Sequence, residues 1–468
     1  MKITLLNKYL SMQYIFLSFS LLGFVGCEKF VQINPPPNQL IDANVFNNDG
    51  SAISSIKGIY SQMTLSNGFA SGATYSITQL AGLSADELTN FSNDGTIQQF
   101  ANNSINSSNI ILQGNLWNEI YNYIYTSNAI LEGVNAGNGL SDSIKQELNG
   151  QAKFIRAFCY FYLTNLFGDV PLYTTSNYQI NAVSKRTESV AVYNQIISDL
   201  KGARSLLSDG YPLSNGERVT PNKWAATALL ARVYLYQHQW DSAETQSTAV
   251  INNSGQYSIL PDLNTVFLAN SSEAIWQLLP VQATINTWEG ANFILIANPT
   301  SVALNNYLMS SFETGDLRLT SWVGAYSDGI NSWNFAYKYK VKASSALTEY
   351  SMVLRLAEQY LIRAEARAQK ANIDISGAQS DLNIIRTRAG LPNTTAGDQQ
   401  SLLTSIAHER QIELFSEWGH RWLDLKRTNS ADVILGAEKP SWQPNAKIYP
   451  IPSTEILNNS NITQNPGY

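Results

Sequence analysis

Helical periodicity, arriving in neighbouring pairs, constrains this chain more than any other feature. In the segment 143–167, Ile144, Leu148, Ala152, Ile155, Cys159, Tyr162 and Leu166 recur every three or four residues. That spacing puts an apolar stripe on one face of a helix, and the stripe must be buried against another element. Gly168-Asp169 ends this segment and Pro171 prevents its restart. A second segment opens at Thr220-Pro221, an N-cap followed by proline at the first helical position, and runs through Trp224, Ala228, Ala231 and Tyr234. The turn 237–241 leads to a partner helix starting near Ser242. A third segment spans Met352 to Lys370, with a partner over 376–389 closed by Gly390-Leu391-Pro392. The fourth runs from Leu402 to Lys426. Small residues such as Ala228, Ala231 and Ala243 let paired helices approach closely.

These helix–short turn–helix units, with Trp, Tyr and Ala at packing positions, resemble tetratricopeptide hairpins, but their period is too irregular for a regular tandem array. Polar stretches at roughly 66–110, 172–190, 255–345 and 427–468 interrupt them, and loops that long are usually functional or disordered. Within 263–340, Ala274–Leu278 and Asn292–Ile296 read as short strands. The expected fold class is mainly α, built of tetratricopeptide-like helix pairs with long polar loops and a few short strands. Helical blocks and loops interleave along the whole chain, so residues 41–468 read as one domain, with halves at about 41–265 and 266–468.

Charged residues make up only 14% of the 468, so neutral polar groups must cover the surface. The net charge is −6 and there is no Lys/Arg-rich run, which argues against nucleic acid as a partner. Two Cys and three His leave no material for a multi-cysteine zinc site or a disulfide scaffold. No metal and no cofactor is expected. Residues 1–26 read as a signal peptide: Lys2 and Lys8 precede an apolar run from Ile15 to Val25, which is too short to span a bilayer. Phe24-Val25-Gly26-Cys27 looks like a bacterial lipobox, which implies cleavage before Cys27 and lipidation of that residue. Asn34-Pro35-Pro36-Pro37 makes 27–40 a semi-rigid tether. Cys159, in the apolar run Phe158–Phe161, is expected to pack in the core.

Five blocks in order now carry a resemblance. They are the lipobox at Cys27; Gln151–Phe161 continuing to Phe167-Gly168-Asp169-Val170-Pro171-Leu172; and Arg218–Pro221 continuing to Ala228–Tyr236. The fourth runs from Arg355 to Leu391 and is followed by Glu409-Arg410, Glu413 and Gly419–Arg427. The fifth is Tyr449-Pro450-Ile451-Pro452 with the terminal Gln464-Asn465-Pro466-Gly467-Tyr468. Together they span nearly all of the chain beyond residue 26. The sequence resembles the SusD/RagB family of nutrient-binding outer-membrane lipoproteins from the Bacteroidetes. The resemblance implies a surface-exposed, lipid-anchored protein facing the cell exterior. It implies capture of nutrient, foremost oligosaccharide or polysaccharide, and delivery to a SusC-type TonB-dependent transporter in polysaccharide utilisation.

A ligand site is expected in the loops. A sugar offers flat C–H faces and dense hydroxyls, and so favours aromatic plates beside planar hydrogen-bonding groups. Covering roughly 60–80 Å² of apolar area on a Trp gains about 1.5–2 kcal/mol. A few such contacts, less ordering costs, give weak binding, which suits a protein that hands its ligand onward. The loop 66–109 offers Phe69, Tyr75, Asp86, Phe91 and Asn93. The loop 283–340 offers Trp288, Asn292, Trp322, Tyr326, Trp333 and Tyr337. Packing of these aromatics onto the helices is the competing reading for each.

Catalysis is not expected. Glu313 and Asp316 are loop carboxylates that a glycoside hydrolase could use, but no barrel pattern accompanies them. His408-Glu409 is not a zinc motif, because position 412 is Ile. Arg156, Glu409, Arg410, Glu413, Arg421 and Asp424 at helical spacings read as ion pairs joining helices. Two alternatives stay open: a protein–protein scaffold of helical repeats without a glycan site, and capture of a non-glycan nutrient such as peptide.

Overall fold

A computed structural model describes residues 45–66 and 68–468. The expected signal peptide 1–26, the lipidated Cys27 and the tether 27–40 lie outside the described residues. Among the described residues, ten helices form the frame: α1 Asp49–Met63, α2 Glu119–Ala136, α3 Asp142–Phe167, α4 Ser189–Leu206, α5 Lys223–Tyr236, α6 Trp240–Ile251, α7 Leu356–Gln369, α8 Ile375–Arg388, α9 Gln399–Glu413 and α10 His420–Arg427. From α2 to α8 each packs against the next, so the helices stack as antiparallel neighbours, and α9 lies on α7 and α8. The fold is mainly α, with paired helices, as the sequence predicts.

The reason is visible in α3. Its apolar stripe is so wide that almost every residue from Gly150 to Phe167 is buried, Cys159 included. Gly168 stops it at φ +74°, a left-handed conformation that suits glycine, with its N–H returned to the Thr164 carbonyl. Arg156 spans to α4 through a two-pronged pair with Asp199 at 2.7 and 2.8 Å. Arg232 of α5 grips Glu358 of α7 at 2.6 Å in the same way. Arg410 of α9 pairs with Asp424 of α10 at 2.8 Å. Arg156, Arg410 and Asp424 are thus helix-to-helix ties, as expected, whereas Arg421 pairs with Asp86 of an N-terminal loop and Glu409 and Glu413 receive Arg318 from the segment between α6 and α7.

Several boundaries differ from the sequence reading. The cap of α5 is Asn222, not Thr220: its side chain accepts the Trp224 and Ala225 N–H groups at 3.0 and 2.9 Å, and Asn is at least as good a cap as Thr. Ser351–Arg355 is a strand leading into α7 rather than its first turn, because a short apolar run suits either state. The segment 402–426 is two helices. Ser416 and Trp418 take positive φ between them, and the Trp418 ring plugs into Phe69, Phe158 and Tyr162. Asn292–Ile296 is not a strand, since Trp288–Phe293 is a short helix capped by Thr287, which accepts the Gly290 N–H. The helices α1, α2 and α4, rich in Ser, Asn and Tyr, were not expected.

Among the described residues, eight short strands make four antiparallel pairs. They are β1 Leu88–Asn90, β2 Val170–Pro171, β3 Arg186–Thr187, β4 Ala274–Leu278, β5 Val302–Leu304, β6 Val323–Ser327, β7 Ser332–Ala336 and β8 Ser351–Arg355. Five of them, β4 to β8, fall between α6 and α7, two helices that still pack on each other. The stretch 252–355 is therefore an insertion into the helical stack. Pairing of β4 with β8 closes its base, and pairing of β5 with β1 ties it to the N-terminal loops.

Candidate functional site

The hairpin β6–β7 is set by its turn. Asp328 accepts the Ile330 and Asn331 N–H groups at 2.9 and 2.7 Å, and Gly329 takes φ +90°. In the resulting register Tyr326 lies opposite Trp333 and Gly324 opposite Phe335. Strand alternation puts these four side-chain positions on one face. Gly324 is required there, because a Cβ would meet the Phe335 ring at 2.3 Å. Tyr326 and Trp333 stack with centroids 6.3 Å apart and planes 23° from parallel. Phe91, just past β1, stands edge-on to Trp333 at 6.5 Å. Two hydrogen bonds fasten the assembly: Phe91 N–H to the Ser301 carbonyl at 2.8 Å, and the Asn298 amide to Asp328 at 3.1 Å.

Phe91, Tyr326 and Trp333 are half-buried, with Asn93 exposed beside Phe91 and Ile330 at the hairpin tip 92% exposed. Three rings from two distant parts of the sequence thus form one partly open platform. Nearby acids are firmly ionised: side-chain and backbone bonds from Thr96 hold Asp94 below the usual carboxylate range, and the Asn331 and Ile330 N–H groups do the same for Asp328. Stacking on the rings, with amides and carboxylate acceptors at the edges, is what this surface can supply.

The other candidates separate cleanly. Trp322 is 0% exposed; its indole N–H donates to the Leu263 carbonyl at 2.9 Å, and Lys338, Arg355 and Arg388 surround its ring at 4.8, 5.8 and 5.5 Å. Phe69 is buried among Phe158, Tyr162 and Trp418. Asp86 is buried in a two-pronged pair with Arg421 at 2.6 and 2.7 Å. These three have no free surface to offer and are corrected to structural residues. Tyr75 is half-buried against the core. Trp288 donates to the Thr64 carbonyl at 2.9 Å and Asn292 donates to Gln79 at 2.7 Å, so the first staples the insertion to the end of α1 and the second to the Ile77–Ser84 helix. Tyr337 is half-buried beside Phe335, with the Lys340 ammonium 4.2 Å from its ring centre.

The two loop carboxylates considered for hydrolysis are engaged. Glu313 is paired with Arg386 at 2.6 Å, whose hydrogen bonds hold it below the ordinary range, whereas a general acid needs a raised pKa. Asp316 accepts from Arg318 at 2.8 Å. Among the described residues no group of three metal-ligating side chains gathers, and no helix is long and apolar enough to cross a membrane. The sequence reading does not include this hairpin, although Asp328-Gly329 between alternating apolar residues is a turn signal that marks it.

Comparison with known proteins bears on this geometry. Residues 50–235 match a family model described as "Starch-binding associating with outer membrane", and residues 281–468 match one described as "SusD family". The SusD-like protein P2 of Formosa agariphila is 27% identical, over 96% of this chain and 98% of its own. The starch-binding protein SusD of Bacteroides thetaiotaomicron is 22% identical over 70% of this chain and 74% of its own. A laminarin-binding SusD-like protein of known structure superposes with a TM-score of 0.75 at 26% identity, covering 90% of this chain and 100% of that one. A SusD superfamily structure from Bacteroides vulgatus gives a TM-score of 0.79 at 21% identity, with the same coverage, and speaks to the fold. With both parts of the sequence matched and the helical frame shared end to end, the chain belongs to the SusD/RagB family.

Proposed function

We propose that this protein captures a neutral oligosaccharide or polysaccharide on the Phe91–Tyr326–Trp333 platform, leaves it uncleaved, and delivers it to a SusC-type TonB-dependent transporter. The observation that carries this reading is the ring cluster itself: three aromatic side chains held half-open on a tied hairpin, in a protein whose charge is low. Two similar proteins are named for binding laminarin and starch, which supports a neutral glycan over a charged ligand. In this reading Cys27 carries the lipid and residues 27–40 form the tether. Residues 41–468 act as one ligand-binding domain on the outer face of the outer membrane.

The test is native electrophoresis of the full-length protein through gels containing laminarin, starch or other neutral polysaccharides. At least one polymer retards the wild type, and Trp333→Ala removes most of that retardation while the thermal melt stays unchanged. A wild type that no polymer in a broad panel retards overturns the glycan reading. Recovery of a large β-barrel protein with it from solubilised outer membranes tests the delivery step.

A further inference from the structure

Away from the hairpin, the start of α2 carries a second row of rings. Trp117, Tyr121 and Tyr125 follow at intervals of four, so they stand along one helix face, about 6 Å apart along the axis. A π-helical turn, Leu112–Asn118, runs straight into α2 and delivers Trp117 to this row; such wide turns are often kept at functional sites. The Trp117 and Tyr121 centroids are 5.0 Å apart, and Tyr173 from the segment after β2 lies 5.0 Å from Tyr121. Tyr178 faces them from the short helix Tyr178–Asn181. The result is a groove of about 440 Å³.

Its rings grade from covered to open. Trp117 is the buried floor and Tyr121 and Tyr173 are half-buried, while Tyr125 and Tyr178 are 38% and 74% exposed. A tyrosine that exposed, on a four-residue helix, adds little to folding. The exposed amides of Asn118 and Asn122, one turn apart, border the rings. Among the described residues, Glu455 is the one charged residue lining the groove. No Lys or Arg is among the described lining residues, so phosphates, nucleic acids and acidic sugars find no direct cationic partner there. A ligand with flat apolar faces, hydroxyl edges and no charge matches both the plates and the amides.

We propose that this groove is a second carbohydrate site, which takes a further stretch of the same neutral polysaccharide. The proposal rests on the glycan reading above. Two weak sites on one rigid body would hold a polymer through effective concentration, without either site binding tightly.

The experiment uses the full-length protein with the polysaccharide that retards it and with a short oligosaccharide cut from that polymer. Calorimetry with the oligosaccharide gives two sites in the wild type and one in the double variant Tyr125→Ala/Tyr178→Ala, whose retardation by the polymer weakens about tenfold. Trp333→Ala keeps the other site, and the triple variant keeps none. Both tyrosines are exposed, so unchanged thermal melts verify folding. One site in the wild type, with polymer retardation unmoved by the double variant, overturns the second site and leaves the hairpin site standing. If the double variant keeps full glycan binding but loses a co-purifying membrane protein, the groove is a protein-docking surface and the proposal fails. Absence of any glycan binding by the wild type overturns the glycan reading itself.

Discussion

Replacing Trp322 and Trp333 separately by alanine sets the burial argument against the composition argument. Both tryptophans sit in the loop that the sequence marks as richest in aromatics, yet the structure buries Trp322 and leaves Trp333 half-open. Trp322 is fully enclosed, packed edge-on to Phe267 at 5.6 Å and bonded to the Leu263 carbonyl. Truncating a buried Trp costs about 3–5 kcal/mol, and stranding the Leu263 carbonyl adds about 1 kcal/mol. A loss of about 4–6 kcal/mol is a large part of a stability of about 5–15 kcal/mol. It predicts a melting temperature lower by roughly 5–15 °C. Trp333 is half-open, so Trp333→Ala changes stability by less than about 1 kcal/mol. It removes a stacking plate worth about 1.5–2 kcal/mol, which weakens glycan binding by roughly ten- to thirtyfold. Thermal denaturation followed by fluorescence and titration with the retained polysaccharide read the two effects independently. The reasoning is refuted if Trp322→Ala leaves the melt unchanged while lowering affinity, or if Trp333→Ala unfolds the protein with no specific loss of binding.

Three further outcomes follow from particular contacts. Gly324→Val forces the Phe335 ring off β6 at a cost of about 1–3 kcal/mol, and so loosens the platform; faster amide exchange over 323–336 together with weaker glycan binding is expected, and unchanged exchange rejects it. Burial, reinforced by the Asp86 charge, raises the Glu87 carboxyl to about 8. A carboxyl raised in the folded state holds its stabilising share at low pH and loses it as pH rises. Wild type should therefore lose stability relative to Glu87→Gln between about pH 4.5 and 8, and parallel curves for the two would contradict this. Although burial opposes it, the Arg232 charge draws buried Glu358 down to about 2, so Arg232→Met strands a carboxylate and costs about 3–5 kcal/mol in denaturant unfolding. Arg232→Met with Glu358→Leu should recover most of that loss; equal losses in the single and double variants would exclude the mechanism.

The sequence is legible where a single face must be buried. The stripe of α3 and the cores of α5 and α8 could be read because apolar residues recur at helical spacing with little else in between. The helices α1, α2 and α4 escaped because their exposed faces carry Ser, Asn and Tyr, which weaken propensity and imitate loop composition. The strand β8 escaped because five apolar-leaning residues before a helix carry no period of their own. At the site, composition alone selects Phe91, Tyr326 and Trp333 together with Phe69, Asp86 and Trp322. What separates the groups is the pairing register and the depth of each side chain, and neither is a local property. The ring row Trp117–Tyr121–Tyr125 is illegible for the opposite reason: aromatics inside a helix have the pattern of core, and only the groove beside them sets them apart.

The buried charges explain how a loop insertion can hold a rigid platform. Arg318, Lys338, Arg355 and Glu273 belong to the insertion, whereas Arg388, Glu409, Glu413 and Glu417 belong to α8, α9 and the turn after it. Arg318 reaches Glu409 at 2.5 Å and Glu413 at 3.1 Å. Arg355 reaches Glu413 at 2.5 Å and Glu417 at 2.8 Å, and Arg388 returns to Glu273 at 2.6 Å. Lys338, two residues beyond β7, donates to the Glu413 carbonyl at 2.8 Å and to Glu417 at 2.5 Å. Buried ion pairs add little net stability over an apolar core, but they strongly penalise any arrangement that leaves one partner unpaired. Sliding of the insertion over α9 would break these pairs, so the network disfavours it where an apolar base would not. The acidic and basic residues around positions 409–417 therefore seat the insertion and so bear on where Tyr326 and Trp333 meet Phe91; if the platform binds glycan as proposed, Glu417→Gln weakens that binding although Glu417 lies outside it.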